Sequence, residues 1–249
     1  MSAPPLDPRQ PRAVALVTGG VRGIGRVVAR GFARRGEHVH VTWRSSEALA
    51  RSAEAEFGEG RAHRANALDE ARVRACVQRV VESEGRIDHV VHAVGEYESG
   101  ALESFSADDF RRMFASNVES AFLLAQAVRP ALRASRGSLV FMGCAGLAGL
   151  RGRQQVAAYA AAKSALVVIA RSLALEEAEY GVRVNVCSPG IVPHEHAAAD
   201  TLDPRRVERV PLRRAGTPEE VAEAVLWLCS SAASYVTGAD LPVAGGWQA

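Results

Sequence analysis

Lysine is nearly absent from this 249-residue chain. Of its thirty basic residues, twenty-nine are arginine, and the single ammonium belongs to Lys163. Where only positive charge is needed the chain uses a guanidinium, so Lys163 is a candidate for work that needs a compact charge with a tunable pKa. Cysteine is scarce too. Cys76, Cys144, Cys187 and Cys229 lie far apart with no C-x-x-C pair, which argues against a zinc site or a disulfide framework and fits a reducing compartment, the cytoplasm. An excess of one charge is also lacking. Thirty Lys+Arg against 28 Asp+Glu leave +2, too balanced for nucleic-acid binding driven by bulk charge. No apolar run reaches the roughly 18 residues of a membrane span. The first twelve residues, MSAPPLDPRQPR, hold four prolines and no apolar stretch of a signal peptide, so 1–11 read as a loose tail. Hydrophobic residues at 48% and charged residues at 23% leave the mix of a folded globular chain.

Apolar runs alternate with helical patterns from Arg12 onward. Short buried strands are expected at 13–17, 39–43, 61–65, 89–93, 139–142, 182–187 and 241–243. Helical periodicity marks a helix opening at Ile24 and stopped by Gly36, then 47–57, 70–84, one long helix over about 107–132, 157–180, and 218–230 with Thr217 as N-cap. Strands this apolar face water on neither side. The β-α-β-α order therefore predicts a single α/β domain over 12–249, a Rossmann-type doubly wound parallel sheet with helices on both faces. The irregular stretch at about 191–209 has the length of a lid or substrate loop.

Thr18-Gly19-Gly20-Val21-Arg22-Gly23-Ile24-Gly25 lies between the first strand and the first helix. Gly19 and Gly20 permit a tight turn, Gly23 lets backbone approach a pyrophosphate, and Gly25 lets helix and strand pack closely. The helix N-terminus then offers free N–H groups to phosphate. In this strand–turn–helix context the spacing G-x-x-x-G-x-G predicts a dinucleotide site lined by Gly19, Val21, Arg22, Gly23 and Ile24. The end of the second strand selects the dinucleotide. An NAD site places Asp or Glu there for the ribose hydroxyl. Here Thr42-Trp43-Arg44-Ser45-Ser46 offers no acid before Glu47, and Arg22 stands in the glycine turn. Two guanidiniums and two hydroxyls suit a 2′-phosphate, so the expected cofactor is NADPH/NADP+, with Arg44 and Ser45 among its contacts.

Tyr159 and Lys163 stand four residues apart, on one face of a helix and about 6 Å apart along its axis. An ammonium near a phenol stabilises the phenolate and lowers its pKa from about 10, which suits the pair to proton exchange near neutral pH.

Taken together, these residues resemble the classical short-chain dehydrogenase/reductases, and among them the 3-oxoacyl-acyl-carrier-protein reductases. The likeness runs from about Arg12 to Trp247, through TGGVRGIG, Asn66-Ala67, Asn117 in SNVESAFLLAQAV, YAAAK, VRVNVCSPG and the closing stretch from VPLRRAG to VAGGW. It implies hydride transfer from NADPH to a carbonyl carbon, with Tyr159 donating the proton, Lys163 on the nicotinamide ribose and Asn117 holding a water in a proton relay. It implies further cofactor contacts at Asn66, Ala67, Ala93, Val94, Gly95, Pro189, Gly190 and Val192. It also implies a homotetramer or dimer through the long helices, where Ala121, Phe122, Ala125, Val128, Ala165, Val168 and Ile169 offer small apolar faces.

The chain departs from that pattern in places. The family serine is missing, with no Ser or Thr anywhere in 139–158. Cys144 stands at the strand-aligned position and Gly146 at the usual spacing from Tyr159. A thiol is the weaker donor, and losing such a donor typically costs about 10²–10³ in kcat. The usual Asn-Asn-Ala-Gly is His92-Ala93-Val94-Gly95, with His92 expected to be structural. The Thr after Pro189-Gly190-Ile191-Val192 is replaced by Pro193-His194, and the closing Asp-Gly-Gly by Val243-Ala244-Gly245-Gly246. His194-Glu195-His196 reads as solvated side chains, and no metal is expected. Glu176, Glu177 and Glu179 would repel an acidic carrier protein, whereas Arg205, Arg206, Arg209, Arg213 and Arg214 could attract one. Two alternatives stay open: reduction of another carbonyl or a pteridine-like ring, and a non-catalytic NADP-binding subunit.

Overall fold

The strands of the chain are short, the central ones are buried, and alternation sends their side chains to two opposite faces. In the computed structural model, which describes residues 12–147, 152–193 and 204–247, seven such strands form one sheet. They are β1 (Val14–Thr18), β2 (His38–Trp43), β3 (Ala62–Arg64), β4 (His89–His92), β5 (Ser138–Met142), β6 (Arg183–Pro189) and β7 (Asp240–Val243). Their order is β3-β2-β1-β4-β5-β6-β7, and every neighbouring pair is parallel. The Rossmann-type doubly wound sheet is as expected. Strand ends differ from the sequence reading by one or two residues. β6, for instance, continues through Pro189, whose carbonyl accepts from the Ala145 N–H at 3.0 Å.

Val14, Leu16, Val90 and Phe141 face one side. There they pack with α3 (Glu70–Glu84), α5 (Ser120–Ser135) and α6 (Ala157–Glu177). Ala15, Val17, Val41 and Val140 face the other, against α1 (Gly23–Arg34), α2 (Glu47–Phe57) and α8 (Pro218–Cys229). Thr217 caps α8 with Pro218 in the first turn, as its sequence predicts, and Glu220 completes a capping box with it.

The single long helix expected over 107–132 is instead three pieces. α4 (Ala107–Phe114) leads into a π-helical turn (Ala115–Glu119) and then α5. Two side chains cause the break. Asn117 Nδ2 donates to the Met113 carbonyl at 3.0 Å, and Ser120 Oγ donates to the Ser116 carbonyl at 2.6 Å. Each takes a carbonyl four residues back, where the helix ladder would otherwise bond.

Three further expectations, on the apolar helix faces, Glu177 and the substrate loop, are corrected. The stretch Ala157–Tyr180 is long and apolar enough to cross a membrane by composition, although no run had suggested it. Ala158, Ala162, Leu166, Ala170 and Leu173 bury one side of it inside the protein. Ala121, Ala125 and Val128 point into the core rather than outward, while Phe122 (48% exposed) and Val168 (59%) do face solvent. Glu177 is no part of an acidic surface. It is 2% exposed and bridges Arg129 Nε at 2.6 Å and Arg133 Nε at 2.7 Å, joining α5 to α6. Part of the expected substrate loop is helical, at α7 (Pro204–Val207). The tail 1–11, residues 148–151, and 194–203 with His194-Glu195-His196 lie outside the described residues.

Candidate active site

In a parallel sheet every strand ends on the same edge, and loops leaving that edge build the site. Here the C-terminal ends of β1, β4, β5 and β6 bring together residues distant in sequence. At the end of β1 the chain turns through Gly19, whose φ of +71° favours glycine. A side chain there would also lie 2.9 Å from the Ala93 carbonyl, so Ala93 and Val94 wall the turn. A side chain on Gly25 would lie 2.8 Å from the Gly19 carbonyl, which accounts for the close helix–strand approach. α1 then begins at Gly23 with Arg22 as its N-cap residue, no side-chain cap and no acid in its first turn. Its leading N–H groups are thus left to a ligand, and this cradle fits a pyrophosphate. Val21 is buried beside it, and Arg22 is exposed.

The ribose end is less simple than the sequence suggests. Arg44 and Ser45 are exposed after β2, as a 2′-phosphate contact needs. The Arg44 guanidinium, however, lies 3.7 Å from Glu96, an acid that arrives from the end of β4. Ser46 is engaged as the N-cap of α2, accepting from the Leu49 N–H, so one of the two hydroxyls counted toward the phosphate has a structural task. Sequence reasoning missed two neighbours. Arg64, paired in register with Trp43, lies over the Trp43 ring at 5.4 Å. Thr42 accepts the Gly19 N–H at 3.1 Å. Asn66 turns its side chain onto the Leu68 N–H at 3.3 Å, and Ala67 follows it after β3.

The reactive group forms where β4, β5 and α6 meet. Tyr159 and Lys163 lie on α6, with the Lys163 ammonium 5.7 Å from the Tyr159 ring centre. Lys163 is 4% exposed and donates to the Met142 carbonyl, at the end of β5, at 2.7 Å. The Cys144 thiol lies close enough to the Tyr159 phenol to raise its pKa, so the strand-aligned cysteine adjoins the phenol. Tyr97 packs edge-on against Tyr159 at 5.0 Å; nothing in its spacing marked it. Asn117 is fully buried, and its Nδ2 is held by the Glu96 carbonyl at 2.9 Å as well as by Met113. Its Oδ1 has no hydrogen-bond partner among the described residues. A side chain on Gly95 would strike that Oδ1 and come within 3.2 Å of Lys163 Nζ. The glycine therefore keeps open a small space into which an amide oxygen and an ammonium both point. Pro189, Gly190 and the buried Val192 close the site at the end of β6, where the Gly190 N–H donates to the Val243 carbonyl at 3.0 Å.

Burial dominates the electrostatics. It pushes the Tyr159 phenol well above its ordinary value, with Cys144 and Tyr97 adding to the rise. This reverses the direction expected from Lys163 alone, because the ammonium is turned to the Met142 carbonyl and the phenol is desolvated. Burial also draws Lys163 down to about 8. It raises the Cys144 thiol, against which the charges of Arg153 and then Lys163 pull.

With this arrangement described, comparison with known proteins places the chain. A family model described as "Enoyl-(Acyl carrier protein) reductase" matches residues 19–248. The chain is a member of the short-chain dehydrogenase/reductase family. An L-fucose dehydrogenase of Bos taurus is 36% identical over 242 residues, 94% of this chain and 88% of that protein. A 3-oxoacyl-acyl-carrier-protein reductase of Chlamydia muridarum is 33% identical, over 93% of this chain and 96% of its own. Among solved structures, a Serratia marcescens short-chain dehydrogenase/reductase aligns with a TM-score of 0.87 at 30% identity, covering 95% of this chain and 98% of that one. A blue fluorescent protein from a metagenomic library, solved in complex with NADPH, aligns with a TM-score of 0.84 at 33% identity over 95% of this chain and 98% of its own. The chain is thus an oxidoreductase of this family, which uses nicotinamide cofactors and acts on small molecules.

Proposed function

We propose that this protein reduces a carbonyl group of a 3-oxoacyl thioester-like substrate to a hydroxyl with NADPH. The observation that carries the reading is the convergence of the Tyr159 hydroxyl, the Cys144 thiol, the Lys163 ammonium and the orphaned Asn117 Oδ1 beside the glycine turn. The cofactor, when bound, supplies the hydride. Tyr159 gives its phenolic proton to the carbonyl oxygen as that oxygen gains charge. Lys163, the adjacent cation, stabilises the phenolate left behind, and its three protons also suit ribose hydroxyls. Asn117 Oδ1, aimed at the same space as Lys163 Nζ, accepts from a water that returns the proton. Cys144 holds the substrate oxygen in place of the family serine.

The cradle at Gly19, Val21, Arg22, Gly23 and Ile24 takes the pyrophosphate. Asn66, Ala67, Ala93, Val94, Gly95, Pro189, Gly190 and Val192 flank the rest of the dinucleotide. NADPH is favoured over NADH by Arg22, Arg44 and Ser45 in place of an acid at the end of β2. The four cysteines are free, in keeping with the cytoplasm. Exposed Phe122 and Val168 offer a face for a homotetramer or dimer.

The L-fucose dehydrogenase relative favours a second reading, in which the same site oxidises a sugar hydroxyl. The deciding experiment follows NADPH and NADH consumption with an acetoacetyl thioester, a diketone and a pterin, and NAD(P)+ reduction with L-fucose. The proposal expects thioester turnover with NADPH well above the other pairs. Fucose oxidation with NAD+ as the dominant activity would replace it, and tight NADPH binding without turnover would leave a non-catalytic subunit.

A further inference from the structure

We propose that His92, which contacts none of the reacting groups, is a positioning residue that ties the cofactor turn to Asn117 through a hydrogen-bonded line. This rests on the reading of Asn117 just given. The family resemblance puts asparagine at this position, and here an imidazole stands in its place.

His92 ends β4, is 1% exposed and uses both ring nitrogens. Nδ1 lies 2.8 Å from Thr18 Oγ1 and Nε2 lies 3.0 Å from Ser120 Oγ. The proton positions follow from counting donors. A serine hydroxyl has one proton, and Ser120 spends it on the Ser116 carbonyl at 2.6 Å. Ser120 Oγ must then accept from His92, which puts the imidazole proton on Nε2. Nδ1 of the neutral ring is an acceptor, and the Thr18 hydroxyl donates to it. Burial, and after it the charge of Lys163, hold this histidine down to about 3, so the ring stays neutral.

Both ends of the line reach the proposed machinery. Thr18 immediately precedes Gly19, whose turn forms the pyrophosphate cradle. Ser116 and Ser120 bracket the π-helical turn that carries Asn117. The Ser116 hydroxyl accepts from Asn117 Nδ2 at 3.1 Å and from the Glu96 N–H at 3.3 Å. A π-helical turn has one backbone bond fewer than a regular one and needs side-chain support to hold its shape. Packing alone does not account for an imidazole here. Phe141 meets its ring edge-on at 6.1 Å, and an apolar side chain would fill the same space without the cost of desolvating two nitrogens. One ring thus spans β1 and α5 and fixes how the glycine turn and the relay amide sit relative to each other.

The test uses the full-length protein, ¹⁵N-labelled, with Ser120→Ala as the main variant and His92→Asn as a second that restores a polar group of the family type. Wild-type His92 should appear as the Nε2–H tautomer and not titrate between pH 5 and 8. Ser120→Ala should shift the Asn117 side-chain amide resonances and change the pH profile of NADPH-dependent turnover. By analogy with small misplacements of reacting groups it should lower kcat about ten- to a hundredfold. His92→Asn should recover more turnover than His92→Phe at equal stability. An Nδ1–H tautomer, or unmoved Asn117 resonances in Ser120→Ala, would overturn the line. So would variants that melt lower yet keep the wild-type kcat, KM and pH profile, since that is a purely structural role. If no carbonyl compound turns over, the function proposed above fails, while the resonances still decide the role of His92.

Discussion

A hydroxyl and a thiol differ little in size but much as hydrogen-bond donors, and under the proposed function Cys144 occupies the place where that difference matters most. Its sulfur adjoins the Tyr159 hydroxyl, and its own proton is directed to the Ala145 carbonyl at 3.6 Å. The raised thiol pKa keeps it protonated at neutral pH, so it acts as a weak donor and not as a nucleophile. Cys144→Ser supplies the stronger donor in nearly the same volume. Steady-state kinetics on an acetoacetyl thioester should show kcat rising about tenfold or more, a fraction of the 10²–10³ that one oxyanion donor contributes. Cys144→Ala should change kcat much less. A serine variant no faster than wild type would show that this position does not hold the substrate oxygen.

Among the elements, α5 and α6 depend on one buried carboxylate. Glu177 faces two guanidiniums, and Arg133 also lies over the Tyr180 ring at 3.7 Å. Glu177→Ala leaves both cations facing each other without their counter-charge. It should cost about 3 kcal/mol in urea unfolding, whereas Glu176→Ala, on the exposed side of the same helix, should cost under about 0.5 kcal/mol. Neither the pairing nor the burial of Glu177 could be read from the run of acids around it, because a charge run looks the same whether or not a partner helix covers one member. The sheet and its helices were legible for the opposite reason. Apolar runs such as 13–17 and 139–142, alternating with helical patterns, fit doubly covered parallel strands, and the start of α8 is written in two adjacent residues, Thr217 and Pro218. The π-helical turn escaped notice because its cause is side-chain competition by Asn117 and Ser120 for carbonyls, and hydrophobic periodicity carries no trace of that. In the site, Tyr159, Lys163 and the glycine turn were readable as local motifs, and Asn117 through the family resemblance. Glu96 beside Arg44, Tyr97 on Tyr159 and the line through His92 arise from strand ends meeting in space.

At the level of the whole molecule, buried histidines give stability a direction with pH. Burial lowers His63 and His89 to about 4 and His92 to about 3, all from 6.5. The unfolded chain therefore takes up these protons first. The stability they contribute is fully present above about pH 6.5 and is lost as pH falls toward 4. Glu37 runs the other way. Its buried carboxyl is raised to about 7, so it adds stability below about pH 4.5 that is lost as pH rises through 7. These three histidines and His40, which burial also lowers, against one carboxyl predict a urea midpoint that falls between pH 6.5 and 4, and falls more steeply in Glu37→Gln. A midpoint flat over that range would contradict the burial of these rings. All of this scaffolding holds one phenol beside one amine, and the decisive measurement is the Tyr159→Phe variant assayed for NADPH-dependent carbonyl reduction alongside NADPH binding. The account predicts turnover down by about 10²–10⁴, the span of general acid catalysis, with cofactor affinity within a few-fold of wild type. Turnover kept at the wild-type rate would contradict it.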